Sequence, residues 1–120
     1  YHKVPLMPAG YMERKLGKGP SSCKEEPFTI LLAHSPLYFD SYARWGADLT
    51  LAGHFHGGTI RIPGLGGVMT PQYQFFLPWC AGDFERDGKR MIVSRGLGTH
   101  SINIRLNNRP QLVLIRLRRA

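Results

Sequence analysis

The chain has 120 residues, 42% of them apolar, and 16 Lys and Arg against eight Asp and Glu give it a net charge of +8. That length suits one domain around one core and argues against two, and no apolar run approaches the roughly 18 residues that would suggest a membrane span. The basic excess favours anionic partners such as nucleic acid, anionic lipid or phosphorylated substrates, or else is a solubilising surface whose acidic balance lies outside these residues.

The chain opens Tyr1-His2-Lys3-Val4-Pro5-Leu6 without an initiator Met, a basic n-region or an apolar h-region. No signal peptide is expected there, and the chain reads as a piece of something longer. Residues 1–27 scatter Pro5, Pro8, Gly10, Gly17, Gly19 and Pro20 with no steady period, which predicts an extended arm or linker ahead of a domain over 28–120. Cys23 and Cys80 form no Cys-x-x-Cys pair, so a zinc knuckle is excluded, while a single disulfide stays open.

Phe28 to Ala33 is short, apolar and β-rich, a buried strand ending at His34. Ser35-Pro36 then supplies an N-cap and a proline at the first helical position, predicting a short helix over 37–45 stopped by Gly46. Asp48 to Ala52 is a second apolar strand, and Ile60-Arg61-Ile62 alternates like a third. Residues 63–82 are rich in Pro, Gly and aromatics and run into a strand around 79–84. Asp87-Gly88 signals a hairpin turn before the returning strand Met91-Ile92-Val93. Residues 102–106 and 112–117 read as two more strands about a turn at Asn107-Asn108-Arg109-Pro110. The pattern is mostly strand with one short helix, and polar residues gather at strand ends.

His54 and His56 stand two apart between glycines, just after an apolar strand. In an extended chain such residues point to one side, about 6.5–7 Å apart, a spacing that suits one shared ion or two ions about 3.5–4 Å apart. His34 follows an equivalent strand. If the two strands and the helix between them form a β-α-β unit, His34 comes to lie beside His54 where open α/β sheets bind ligands, and Phe55 faces the core. The competing reading keeps these histidines structural, in a basic β-rich module that binds nucleic acid or anionic lipid. His2 and His100 have no such context, and Ser35 serves better as a cap than as a nucleophile. Arg95, after a strand and before Gly96, is placed to act as a substrate-binding fork for phosphate or as an ordinary surface or carboxylate-paired arginine.

Leu32-Ala33-His34-Ser35-Pro36, followed about 20 residues later by Gly53-His54-Phe55-His56-Gly57-Gly58, resembles the two C-terminal motifs of calcineurin-like metallophosphoesterases. Val93-Ser94-Arg95-Gly96-Leu97-Gly98-Thr99 and the segment from Ile104 to Leu114 resemble the bacterial branch of small, often membrane-associated phosphohydrolases. The resemblance runs from about Phe28 to Leu117. It implies an α/β fold, the C-terminal half of a four-layer α-β-β-α sandwich, and a water activated at a dinuclear site to hydrolyse a phosphomonoester or phosphodiester.

By the same resemblance His34 and His54 would ligate one metal and His56 the other, the ions being two divalent transition metals drawn from Mn, Fe or Zn. The family's earlier motifs, Asp-x-His, Gly-Asp and Gly-Asn-His-Asp, do not precede these histidines, and Gly82-Asp83 comes after them. The expected partners are therefore a missing N-terminal half of the same domain and a phosphoester substrate. The aromatic stretch 63–79 would suit a lipid-linked phosphate or would pack on its own core. No specific nucleic acid is expected, the chain alone is expected to be inactive and to self-associate, and the parent would be bacterial, cytoplasmic or membrane-associated.

Overall fold

A computed structural model describes residues 6–20, 25, 27–55, 60–62, 66–69, 81–98 and 108–119. His56, both cysteines, the strand expected at 102–106 and most of the aromatic stretch lie outside the described residues. The rest is an α/β arrangement built on a mixed four-stranded sheet. Its strands are β1 (Ile30–Leu32), β2 (Leu49–Ala52), β5 (Gly82–Arg86) and β6 (Lys89–Val93), in the order β1-β2-β6-β5. A separate antiparallel pair joins β3 (Ile60–Ile62) to β4 (Gly66–Met69).

The first three strands of the sheet are parallel, with Leu32 beside Leu51 and Ala52 beside Val93. A parallel neighbour needs a crossover, and here it is a short helical one. Ser35 Oγ accepts the Leu37 N–H at 3.3 Å and Pro36 opens a 3₁₀ turn over Pro36–Tyr38. That turn runs into helix α2 (Phe39–Trp45), which Gly46 ends at φ 109° with its N–H on the Ala43 and Tyr42 carbonyls. The two-residue Asp87-Gly88 turn closes the β5–β6 hairpin with φ 51° and 72°, as the sequence predicts.

The two faces of the sheet differ. On one, Met91 and Val93 are buried under Phe39, with Ala43, Ala52 and Phe84 around them, so α2 and the sheet share one small core. On the other, Ile30 is 42% and Leu32 78% exposed. Among the described residues the strand expected to be buried at 28–33 is thus an edge, covered on one side only. Open clefts remain along this second face, one of about 310 Å³ lined by Leu51, Ile92, Gln111, Val113 and Ile115 among others.

The last strand expected, over 112–117, has its expected neighbour at 102–106 outside the described residues. Residues 111–119 have no ladder partner among the described residues, and Leu112 and Leu114 stand 85% and 88% exposed. Alternating apolar residues predict a strand only where a neighbour offers a ladder. The expectation of one helix also needs correction, because a second, α1 (Tyr11–Leu16), lies inside the stretch read as an extended arm. At six residues it is too short to show a period, and packing makes it: Met12 is buried, and Trp45 Nε1 donates to the Gly17 carbonyl at 3.0 Å. Gly19 is required there, since a Cβ would lie 1.9 Å from the Trp45 carbonyl oxygen. Among the described residues no helix is long and apolar enough to cross a membrane.

Candidate functional site

The C-terminal ends of β1, β2 and β6 form one rim of the sheet, and His34, His54 and Arg95 follow them there. The ladder continues one residue beyond the strands: Ala33 N–H donates to the Leu51 carbonyl at 2.9 Å, and Ser94 N–H to the Ala52 carbonyl at 3.0 Å. His34, Gly53-His54 and Arg95 therefore leave the sheet side by side. The His34 and His54 rings meet with centroids 4.0 Å apart, inclined by 41°.

Local packing explains why the rings meet. Leu37, three residues after His34, and Phe55, directly after His54, are both buried and pack on each other with Tyr38 beside them. This apolar pair fastens the two histidine loops together. Beneath it, the buried Tyr42 hydroxyl donates to the Ser35 carbonyl at 2.9 Å, tying α2 to the His34 loop. Burial above all, then the neighbouring Tyr38 and Tyr11, pushes the Tyr42 phenol up to about 12, so it stays a neutral donor at any physiological pH.

His54 has φ 71°, uncommon for a residue with a Cβ, and the Phe55 N–H closes a three-residue turn on the Gly53 carbonyl at 2.9 Å. Turns of this type are rare and strained, by about 1–3 kcal/mol. The strain turns His54 sharply off the end of β2 while Phe55 drops into the apolar pair. At Gly53 a Cβ would make only ordinary contact, 3.9 Å from the Ser94 carbonyl oxygen, so the close approach of the two loops does not depend on glycine there.

Arg95 begins the loop after β6. Its backbone N–H and its Nε donate to Gln111 Oε1 at 3.3 and 3.4 Å, and Gln111 N–H donates to the Gly96 carbonyl at 2.9 Å. Sequence reasoning missed Gln111, because nothing local marks a residue whose contacts lie 16 positions back. It also missed the backbone strain at His54, although a histidine between two glycine-rich steps is the signal that could have suggested it.

As a donor set, two imidazoles in ring contact offer nitrogen to a divalent transition metal, which those ions accept readily. Among the described residues no third His, Cys, Asp or Glu joins them to complete a site. The described carboxylates with named partners are engaged elsewhere: Asp40 with Arg86, Asp48 with Lys89 and Asp83 with Arg90.

Comparison with known proteins gives this rim a context. The chain is 30% identical over 98 residues to the uncharacterized metallophosphoesterase YkuE of Bacillus subtilis, an alignment covering 82% of this chain and 34% of that protein. It is 30% identical over 101 residues to the phosphodiesterase YaeI of Escherichia coli, covering 79% and 36% of the two chains. The uncharacterized metallophosphoesterase YkoQ of Bacillus subtilis is 28% identical over 88 residues, covering 73% and 33%. No family model and no solved structure matches the chain. The chain spans about a third of the length of each of these relatives, and over that span its sequence is similar to those of metallophosphoesterases.

Proposed function

We propose that this chain is the C-terminal half of a metal-dependent phosphoesterase domain. Its four-stranded sheet would be one of the two inner layers of a four-layer α-β-β-α sandwich. The observation that carries the reading is the ring contact of His34 and His54 at the ends of adjacent parallel strands. Nothing in strand packing requires two imidazoles there, and the strained turn that presents His54 has a stability cost that a ligand would justify.

His34 and His54 would hold one divalent ion, and His56 the second. Mn, Fe and Zn fit the imidazole donors, and two such ions when bound supply Lewis acidity and an activated water for attack on phosphorus. The chain's own residues do the rest. Phe55 and Leu37 hold the imidazoles in place, Ser35 and Tyr42 fix the His34 loop, and Arg95 receives a phosphate oxygen edge through its guanidinium. The substrate is a phosphoester, with a lipid-linked one suited to the aromatic stretch after the histidines.

Three neutral imidazoles facing as many as four positive charges need carboxylates to balance them. The complementary N-terminal segment would supply those carboxylates and cover the exposed face of β1. Alone, the chain would bind metal weakly, turn over poorly and self-associate through that face and edge. The test is hydrolysis of bis(p-nitrophenyl) phosphate with Mn²⁺ by the chain alone, by the chain joined to its complementary segment (the complete domain), and by the complete domain with His54→Ala. Turnover is expected in the complete domain only. Robust, His54-dependent turnover by the chain alone would overturn the assignment of essential ligands to the other half. Metal-indifferent, strongly salt-sensitive binding of polyanions would favour the basic binding module instead.

A further inference from the structure

We infer that Gln111 is a positioning residue for phosphate recognition, acting through Arg95; this rests on the reading of Arg95 given above. The Arg95 loop is held by three bonds from this single residue. Its side-chain carbonyl accepts from both the backbone N–H and the Nε of Arg95, and its own N–H reaches the Gly96 carbonyl. A fourth bond, Gly96 N–H to Ser94 Oγ at 3.0 Å, folds the loop back on the strand end.

The chemistry of this arrangement is specific. A guanidinium carries five N–H donors in a rigid plane and recognises phosphate with two of them in parallel. An acceptor shared by the backbone N–H and Nε ties the far end of the arginine side chain back to its own root. The four rotatable bonds of the side chain are thereby restrained, so that the guanidinium plane meets a phosphate in a restricted orientation. An arginine ordered before binding loses less side-chain entropy when the anion arrives.

Gln111 belongs to the segment 108–119, which joins no ladder of the sheet among the described residues. Its three bonds to the β6 loop do more for that loop than for the sheet. Val113 and Ile115 follow on the same side and line the clefts against Ile92. The segment thus carries a polar grip at one end and apolar anchors after it, which hold Gln111 at the rim.

The experiment is a double-mutant cycle in the complete domain, with Mn²⁺, bis(p-nitrophenyl) phosphate as substrate and inorganic phosphate as competitive inhibitor. Gln111→Met keeps the side-chain volume and removes the acceptor. It is expected to lower kcat/KM and to weaken phosphate inhibition, each about tenfold. Gln111→Glu restores an acceptor in the same place and is expected to stay within about threefold of the parent. In an Arg95→Ala background, Gln111→Met should cause no further loss.

If Arg95→Ala leaves kcat/KM and phosphate inhibition unchanged, the reading of Arg95 fails and this inference fails with it. If Arg95→Ala is impaired and Gln111→Met is not, only the positioning role is overturned. Losses that multiply in the double variant would assign Gln111 an effect independent of Arg95 and would also overturn it. Should Gln111→Met fail to fold, as its melting curve would show, Gln111→Ala decides, because kcat/KM and phosphate inhibition unchanged in that variant would overturn the positioning role.

Discussion

The two rims of the parallel sheet are built on opposite principles. At the N-terminal ends, Asp48 accepts the Lys89 ammonium at 2.6 Å with one oxygen and the Thr29 N–H at 2.8 Å with the other, and its own N–H donates to the Thr29 carbonyl at 3.0 Å. One carboxylate staples β1, β2 and β6, and no chemistry is left over. At the C-terminal ends, two imidazoles crowd together on a strained turn, and an arginine is held by a residue from outside the sheet. The first rim satisfies its charges internally, and the second gathers imidazoles and a guanidinium. Open α/β sheets bind ligands at such C-terminal strand ends, where the proposed site lies.

The contrast is broken most severely through the apolar pair beneath the histidines. Phe55→Ala removes a side chain only 3% exposed, and a buried phenylalanine of this kind costs about 3–5 kcal/mol. The loss should appear as a lower melting temperature, and the parted loops should weaken metal binding although no ligand has changed. Unaltered Mn²⁺ affinity in a folded Phe55→Ala domain would show that the ring contact does not depend on the packing.

Next comes His54→Ala, expected to reduce turnover in the complete domain by more than about 100-fold, beyond the 10–100-fold typical of residues that only support a ligand. Lys89→Met, on the opposite rim, should leave kcat/KM within about twofold. Equal losses from the two variants would erase the distinction between the rims.

These two variants also mark how far the sequence could be read. The β-α-β unit, the Ser35 cap, the Asp87-Gly88 turn and the place of His34 beside His54 all follow from local chemistry and from the rule that parallel strands end together. Phe55 is buried as expected, but through the turn at His54 and not through strand alternation. Helix α1 does not follow from local chemistry, because Met12 and Trp45 create it by contact across the chain. Gln111 was illegible for the same reason: its meaning lies in Arg95. Long-range partners are what a single sequence withholds.

A smaller effect is expected from Asp48. Burial works against its charge, but the Lys89 ammonium and the Thr29 N–H outweigh that and hold the carboxyl below its usual value. A depressed folded pKa means that the carboxylate stabilises the fold above the unfolded pKa of about 3.9 and that this contribution fades as pH falls through the folded value. Asp48→Ala should cost about 2 kcal/mol at pH 7, the range for hydrogen bonds to a charged group. Melting the parent and the variant from pH 7 down to pH 2.5 should show the gap narrowing below about pH 4. A gap that stays constant over that range would show that the ionised carboxylate contributes nothing.

The smallest effect tests the strain itself. At φ 71°, His54 occupies a conformation that costs a residue with a Cβ about 1–2 kcal/mol and costs glycine almost nothing. His54→Gly removes that cost, but glycine adds roughly 0.5–1 kcal/mol of unfolded-state entropy, and the ring contacts with His34 and Phe55 are lost. A net gain of about 0.5 kcal/mol is expected, or a rise of about 1–2 °C in the melting temperature of the metal-free complete domain. The same variant should lose the rise in melting temperature that Mn²⁺ gives the parent, since an ion stabilises only the state that binds it. Higher stability without metal and none gained with it would mean that the fold tolerates a strained histidine for the sake of a ligand. A drop in the metal-free melting temperature would instead show that the His54 ring holds the rim together, and the strain would then be a consequence of packing.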